Sequence, residues 1–486
     1  MKLYDIISKM KFLGIKNYQE QEIDALSCDT NESVNNGMYF CIKGLHNDGH
    51  ELANKAIENG NVCLVVERYL DLPNTQILVE NSRRAMSYVS SVFYSTYQSN
   101  MKFIGITGTN GKTTTTFIIK YVLNKLGKSV GLIGTQGIYI DSLMLPNKLT
   151  TPDPIELHKT IKMMEESGCE YCVMEVSAHA IALNKIDDIH YDVVALSNIT
   201  QDHLDFFKTM DNYTKCKESL FDINHTNIGV INTDDMISRG IFSRAKINKT
   251  SVGHNGNVSI SNLYSNIKGS NFMVEYEGES LPVHTNLIGS YNVDNVALAI
   301  GVLLNLKFNL KDIVDAISSA KIYVPGRFNL IETEDNFSVV IDYAHTPDGM
   351  KNILSTIYEL PKSRLITVFG CGGNRDKGKR PKMLKEAMEY SDVVIVTSDN
   401  PRDENPDAII DDILEKETSS KVRRITDRQA AIEYALTIAR ANDIIAILGK
   451  GAETYQEIKG VKHYFSDYDV VDNFFKLKDK NTRVGL

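Results

Sequence analysis

Four side chains pose the chemical question: Lys112 and Thr113 in "GITGTNGKTTTT" (105–116), Glu175 in "MEVSAHA", and His203 in "NITQDH". A glycine-rich turn closing in Lys-Thr is suited to phosphate. Gly108 and Gly111 let backbone N–H groups turn toward phosphate oxygens, and a following helix adds its dipole. Lys112 would neutralise the outer phosphates and Thr113 would offer its hydroxyl to magnesium, with Thr109, Asn110 and Thr114 completing the loop. The full Walker pattern needs its first glycine where this chain has Ile106, so the match is to a shorter variant. Glu175 and His203 each follow a Val/Ile-rich run, and in a parallel sheet both would point at the same magnesium-nucleotide. Taken alone, Glu175 reads equally well as a buried, paired carboxylate. Lys217, in "YTKCKESLF", says by itself only amphipathic helix.

Such residues need a sheet to hold them. The chain repeats a short Val/Ile-rich run, a loop and a longer amphipathic stretch, which is parallel α/β structure. Strands are expected at "FIGIT", "SVGLIG", "CVMEV", "DVVALS" and "IGVIN", and again at "FSVVIDY", "RLITVFG", "DVVIVTS" and "IIAILGK". Between them, "SVGHNG" and "NFMVEYEG" read as antiparallel pieces, and "VPGRF" (324–328) has linker composition. We expect three α/β domains: a small one over 1–100, a central phosphate-loop parallel sheet with appended antiparallel strands over 101–326, and a Rossmann-like one over 327–486. Most strands end in polar or glycine-rich residues, and ligands bind at the carboxyl ends of open parallel sheets. The expected site is the cleft between two such edges.

Composition excludes other classes. The 486 residues are 42% hydrophobic and 24% charged, with a net charge of −9, so a nucleic-acid surface is not expected. The first residues, "MKLYDIISKMKFLG", have helical spacing without a signal peptide's apolar core, and the longest apolar runs are strand-length. Seven scattered cysteines do not form a disulfide framework, and the lone Cys169/Cys172 pair reads as structural. A soluble, cytoplasmic protein is expected, with no membrane or nucleic-acid partner, as a monomer.

The blocks "GITGTNGKTTTT", "LTTPDP", "MEVSAHA", "NITQDHLDF", "YTKCKESLF", "GSYNVDNVALAI", "VPGRF", "DYAHTPDG", "FGCGGNRDKGKRP", "SDNPR" and "GKGAETYQ" together resemble the Mur ligases of peptidoglycan synthesis, from about residue 22 onward. Their order and spacing are most similar to the members that add the third residue to UDP-N-acetylmuramoyl-L-alanyl-D-glutamate. The resemblance implies an ATP- and Mg2+-dependent, ADP-forming ligase. Its N-terminal domain would hold the UDP-sugar, its central domain ATP, and its C-terminal domain the incoming amino acid. It also implies that Lys217 is carbamylated and, with Thr113, Glu175 and His203, holds magnesium. Asn292, Asn295 and Arg327 match the family's ATP contacts, while Thr150, Thr151, Ser177 and Lys185 match its sugar-peptide contacts.

The chain also departs from the family pattern. The uridine motif Asp-Ser-Arg is Asp29-Thr30-Asn31, which loses a cation; a usual serine is Ala178, an arginine is Lys185, and a histidine is Ala452. For the amino acid, Asp399-Asn400-Pro401-Arg402 accompanies meso-diaminopimelate in this family, with Arg375, Gly449 and Glu453 as further contacts. A guanidinium can clamp a distal carboxylate through two parallel hydrogen bonds. Lanthionine would satisfy the same charges, whereas lysine would leave the arginine unpaired. The alternatives are a paralogue adding another amino acid, a folylpolyglutamate-synthetase-like ligase, and a non-catalytic nucleotide-binding regulator.

Overall fold

The computed structural model describes residues 1–44, 47–141, 143–415 and 417–484, with side chains described as far as 477. Among the described residues, three large sheets and a two-stranded hairpin carry the chain. The first has five strands in the order Gly14–Lys16, Thr75–Leu78, Asn61–Val66, Gly37–Phe40 and Ala25–Ser27, all parallel except the first. The opening residues form only a short helix, Leu3–Ile7, whose Leu3, Ile6 and Ile7 pack with Met10 into this sheet's core.

The second sheet has eleven strands. Its parallel centre runs Asn248–Val252, Ile228–Asn232, Val193–Leu196, Lys102–Thr107, Tyr171–Glu175 and Val130–Gly134. The five expected strands of this region are all present. Their Val/Ile/Leu runs are buried on both faces, as a helix-covered parallel sheet requires. Helices Lys112–Lys125 and Ser290–Asn305 share one apolar layer against it. Nearly every residue from Asn292 to Leu304 is buried, so packing fixes the asparagines on that helix. One expectation fails here. Ser251 and Val252 of "SVGHNG" end a strand parallel to Ile228–Asn232; antiparallel pairing in this region begins with the meander Val258–Asn266, Gly269–Tyr276, Glu279–Thr285, and the opposite edge of the sheet, Gly137–Ile140 and Leu143–Leu145, is antiparallel as well. The run is short and half-buried, and period alone does not distinguish the two pairings.

In the third sheet the order is Asn329–Glu332, Ser338–Asp342, Ile444–Leu448, Leu365–Phe369, Val393–Val396 and Val422–Arg424, parallel except at the first edge. Carboxyl-end loops of the second and third sheets meet. Asn110 donates to Asp348 (2.8 Å), Gln201 to Asp376 (2.9 Å), and Lys379 Nζ lies 3.4 Å from Asp202. Among the described residues, no helix is long and apolar enough to cross a membrane.

Candidate active site

Between these facing edges lies a cavity of about 540 Å³. Gly108 to Thr114 form one wall; Thr150, Thr151, Glu175, Ser177, Lys185, His203, Lys217, Asn295, Arg327 and Arg375 also line it. The loop geometry depends on glycine at two positions. Gly108 has φ +144°, where a Cβ would lie 1.9 Å from Ser197 Oγ, and Gly111 has φ +87°, where a Cβ would lie 2.2 Å from Asn295 Oδ1. At either position a side chain would need a strained backbone and displacement of its neighbour.

Lys112 Nζ curls back to the carbonyls of Gly108 and Thr109, 2.8 Å from each. Burial pulls its pKa down, and the neighbouring Arg327 adds to this, while Glu175 and Asp202 oppose it. Glu175 terminates its strand with both oxygens engaged. Oε1 accepts the Thr135 N–H (2.9 Å), and Oε2 accepts the Thr113 and Thr135 hydroxyls (3.1 Å each). These donors are hydroxyls and a backbone amide rather than cations.

Lys217, on the helix Met210–Glu218, is 1% exposed. Its Nζ donates to Thr107 Oγ1 (3.2 Å) and to the Gly108 carbonyl (3.0 Å). Burial, reinforced by Lys112, holds its pKa well below the ordinary lysine value. His203 sits at φ +55°, with its N–H on Asp202 Oδ1 (2.9 Å) and its ring edge-on to His179 at 4.8 Å. Burial, helped by His179, His345 and Lys112 against Asp202, lowers its pKa to about 3, so the imidazole is neutral.

The small hydroxyl residues are tied in structurally. Thr151 Oγ1 donates to the Glu175 carbonyl (2.8 Å) and accepts the Ser177 N–H (3.0 Å). Ser177 caps the helix Ala178–Ala182, which is the capping role such a residue plays on its own. Thr150 and Thr135 hydroxyls lie 3.0 Å apart, and Lys185 pairs with Asp153 at 2.9 Å. Asn292 donates to the Ile288 carbonyl (2.8 Å), and Asn295 in turn donates to Asn292 Oδ1 (3.3 Å).

Other expected site residues lie outside the cavity lining: Thr30, Asn292, Asp399, Asn400, Pro401, Arg402, Gly449 and Glu453. The last six form a neighbouring cluster, joined to the cavity through Tyr343, whose hydroxyl donates to Glu453 Oε1 at 3.2 Å. Glu453 Oε2 accepts Asn400 Nδ2 and Lys450 Nζ, both at 3.0 Å. Burial opposes ionisation of Asp399, but Lys450 and Arg428 outweigh it and hold the carboxyl below its ordinary range. A Cβ on Gly449 would lie 2.7 Å from Asp399 Oδ2. Thr30 belongs to the first sheet's loops. Beside it, Lys55 Nζ donates to Asn31 Oδ1 at 3.0 Å.

Sequence reasoning missed Asp202. Buried at the seam, it faces His203 Nε2 (3.3 Å), Lys379 Nζ (3.4 Å) and His345 Nε2 (3.8 Å). Burial penalises its charge, yet the Lys379 ammonium, with a hydrogen bond from His345, outweighs it and holds the carboxyl well below its ordinary range. The members of this cluster come from three separate stretches, Asp202 and His203 from "NITQDH", His345 from "DYAHTP" and Lys379 from "GKRP", and only the fold brings them together.

Two facing parallel sheets, with a phosphate-type loop on one and a charged turn on the other, define a nucleotide-dependent group-transfer protein. Residues 106–303 match the Mur ligase middle domain and 326–451 the Mur ligase glutamate ligase domain. A UDP-N-acetylmuramoyl-L-alanyl-D-glutamate–2,6-diaminopimelate ligase of Clostridium botulinum is 39% identical over 98% of this chain and 100% of its own length. The Aquifex aeolicus protein of that name is 39% identical over 93% of each chain. A solved structure of a ligase with that name superposes at a TM-score of 0.66, with 28% identity, over 94% of this chain and 96% of the other. A Mycobacterium tuberculosis folylpolyglutamate synthase shares the fold at TM-score 0.62 and 16% identity, but over only 75% of this chain and 92% of its own. The chain belongs to the Mur ligase family, whose members are ATP-dependent ligases.

Proposed function

We propose that this protein joins meso-diaminopimelate to the D-glutamate of UDP-N-acetylmuramoyl-L-alanyl-D-glutamate, converting ATP to ADP and phosphate, in cytoplasmic peptidoglycan precursor synthesis. The observation that carries this reading is the shared cavity: the phosphate loop, Glu175, Lys217 and Arg375 line one space, and the Arg402 turn lies beyond Tyr343 and Glu453. Residues 1–100 would hold the UDP-sugar near Thr30, 101–326 ATP, and 327–486 the amino acid.

A carboxylate is a poor electrophile, so the side-chain oxygen of the D-glutamate first attacks the γ-phosphorus and ADP leaves. The amine of diaminopimelate then attacks the acyl phosphate carbonyl, phosphate departs, and a proton is lost as the amide forms. Lys112 and Arg327 gather the anions, and the loop's N–H groups fix the phosphate chain. Asn292 and Asn295 would hold adenosine from their packed helix. Thr150, Thr151, Ser177 and Lys185 would orient the sugar peptide.

Thr113 and Glu175, adjacent at 3.1 Å, are hard oxygen donors and fit magnesium, which favours few protein ligands plus phosphate and water. When bound, the ion would spread charge over the phosphate oxygens. His203, held neutral, has a ring nitrogen lone pair to offer there. Lys217 fits as a carbamate: its depressed pKa favours the free amine, which adds CO2 and loses a proton to become an anionic oxygen donor. The test crosses UDP-muramoyl peptides with diaminopimelate, lysine, ornithine and lanthionine and measures product mass. ATP hydrolysis that needs neither acceptor nor amino acid would overturn the reading.

A further inference from the structure

The Asp399–Arg402 turn is clamped by the antiparallel hairpin Tyr455–Ile458 and Val461–Tyr464. The Arg402 N–H donates to the Glu457 carbonyl and the Lys459 N–H to the Arg402 carbonyl, both at 2.9 Å. The Glu457 N–H donates to Asn400 Oδ1, also at 2.9 Å. Between them these bonds hold Arg402 at φ +51°, a left-handed conformation uncommon outside glycine.

Glu457 also turns its carboxylate onto the guanidinium. Arg402 Nε donates to Glu457 Oε2 at 3.0 Å, Nη1 donates to the Gly373 carbonyl at 2.8 Å, and among the described residues Nη2 makes no hydrogen bond. Both side chains are partly buried, at 19% and 26% exposure. The neighbouring charges are settled among themselves, with Lys450 on Glu453 and Asn400. Arg402 therefore already has an anion before any amino acid arrives.

We propose that Glu457 sets how strongly this site selects a distal carboxylate: it is the resident counter-ion of Arg402, which the incoming carboxylate must share or displace. This inference rests on the amino-acid reading given above. With Glu457 in place, a distal carboxylate approaches a neutralised pair rather than a free cation. A diamino acid lacking that carboxylate meets correspondingly less repulsion from the guanidinium. Glu457 thus weakens the site's discrimination while holding the guanidinium in orientation through Nε.

Glu457→Gln separates the two roles, because the amide oxygen still accepts from Nε but carries no charge. Removing one charge about 6 Å from the bound carboxylate, at an effective dielectric of about 40–80, changes binding by roughly three- to tenfold. The expected result is a diaminopimelate KM lower by that factor, an unchanged or higher lysine KM, and a wider diaminopimelate-to-lysine ratio of kcat/KM. Glu457→Asp, which keeps the charge, should hold the ratio within about twofold of wild type. A ratio that stays the same or narrows in Glu457→Gln, while Arg402→Ala still alters it, overturns the role of Glu457 alone. A wild type that does not use diaminopimelate, or a ratio indifferent to Arg402→Ala, overturns the functional reading and this inference together.

Discussion

Arg327 joins the third sheet's approach to the phosphate loop: its Nη2 donates to Thr113 Oγ1 at 3.1 Å, while its guanidinium lies 4.5 Å from the Tyr343 ring centre. Thr113 donates its own hydroxyl hydrogen bond to Glu175 Oε2 at 3.1 Å, so one hydroxyl links a cation from the segment leading into the third sheet with an anion of the second. Arg327→Ala should remove a charge-assisted hydrogen bond worth about 1.5–3 kcal/mol, lowering kcat/KM for ATP roughly tenfold to a hundredfold. Arg327→Lys should recover only part, lacking the planar fork. Steady-state kinetics with ATP as the varied substrate check this; an unchanged kcat/KM for ATP would remove Arg327 from the proposed nucleotide site.

Lys217 provides a sharper test, because its two oxygen partners at 3.2 and 3.0 Å carry no formal charge to balance an ammonium. If it works as a carbamate, wild-type activity should fall in bicarbonate-depleted buffer. Lys217→Ala should lose most activity at any bicarbonate level, and short carboxylic acids should restore part of it. Full activity of the alanine variant at low bicarbonate would sink the carbamate.

His158 predicts a pH dependence of stability away from the chemistry. On the helix Pro154–Glu166, it meets Thr96 Oγ1 through Nδ1 at 2.6 Å, and its buried Nε2 has no hydrogen-bond partner among the described residues. Burial lowers its pKa to about 3, from 6.5 in the unfolded chain. The folded state therefore refuses a proton that the unfolded state accepts. Stability is fully present above pH 6.5 and falls, by up to about 1.4 kcal/mol per pH unit, as pH drops from 6.5 toward 3. His158→Gln should flatten the acid limb of melting temperature against pH; an unchanged limb would show that other groups dominate it.

Much of this was legible because the signals are local. The phosphate loop needs glycines where a Cβ would collide with Ser197 and Asn295, and those collisions are written as Gly108 and Gly111. The parallel strands were legible because burial on both faces leaves unbroken Val/Ile runs. The hairpin Tyr455–Ile458/Val461–Tyr464 was not, since its second strand is exposed throughout and carries no apolar alternation. Asp202 was missed for another reason. Its partners Lys379 and His345 are supplied by a different sheet, a proximity that no single stretch encodes. Arg402 is singled out by its motif, but its pairing with Glu457 depends on the same unforeseen hairpin.

That pairing changes what Arg402→Ala should do. On the proposed reading, removing the guanidinium takes away the partner of the distal carboxylate, and it leaves Glu457 without its Nε hydrogen bond. Truncating one side of a partly desolvated charge pair costs about 2–5 kcal/mol. Efficiency with diaminopimelate should therefore fall roughly 30-fold to several thousand-fold. Lysine has no distal carboxylate to lose, and its ammonium would meet a freed carboxylate, so its efficiency should fall less or rise. The preference ratio must narrow from both sides. Activity need not switch to lysine, because Asp399, Arg375 and Glu453 remain. Combining Arg402→Ala with Glu457→Gln removes the stranded anion, and should return part of the diaminopimelate efficiency lost in Arg402→Ala alone. The measurement is the kcat/KM ratio across wild type, the single variants and the double variant. A double variant no better than Arg402→Ala would mean that the two side chains, although 3.0 Å apart, do not act on the same part of the substrate.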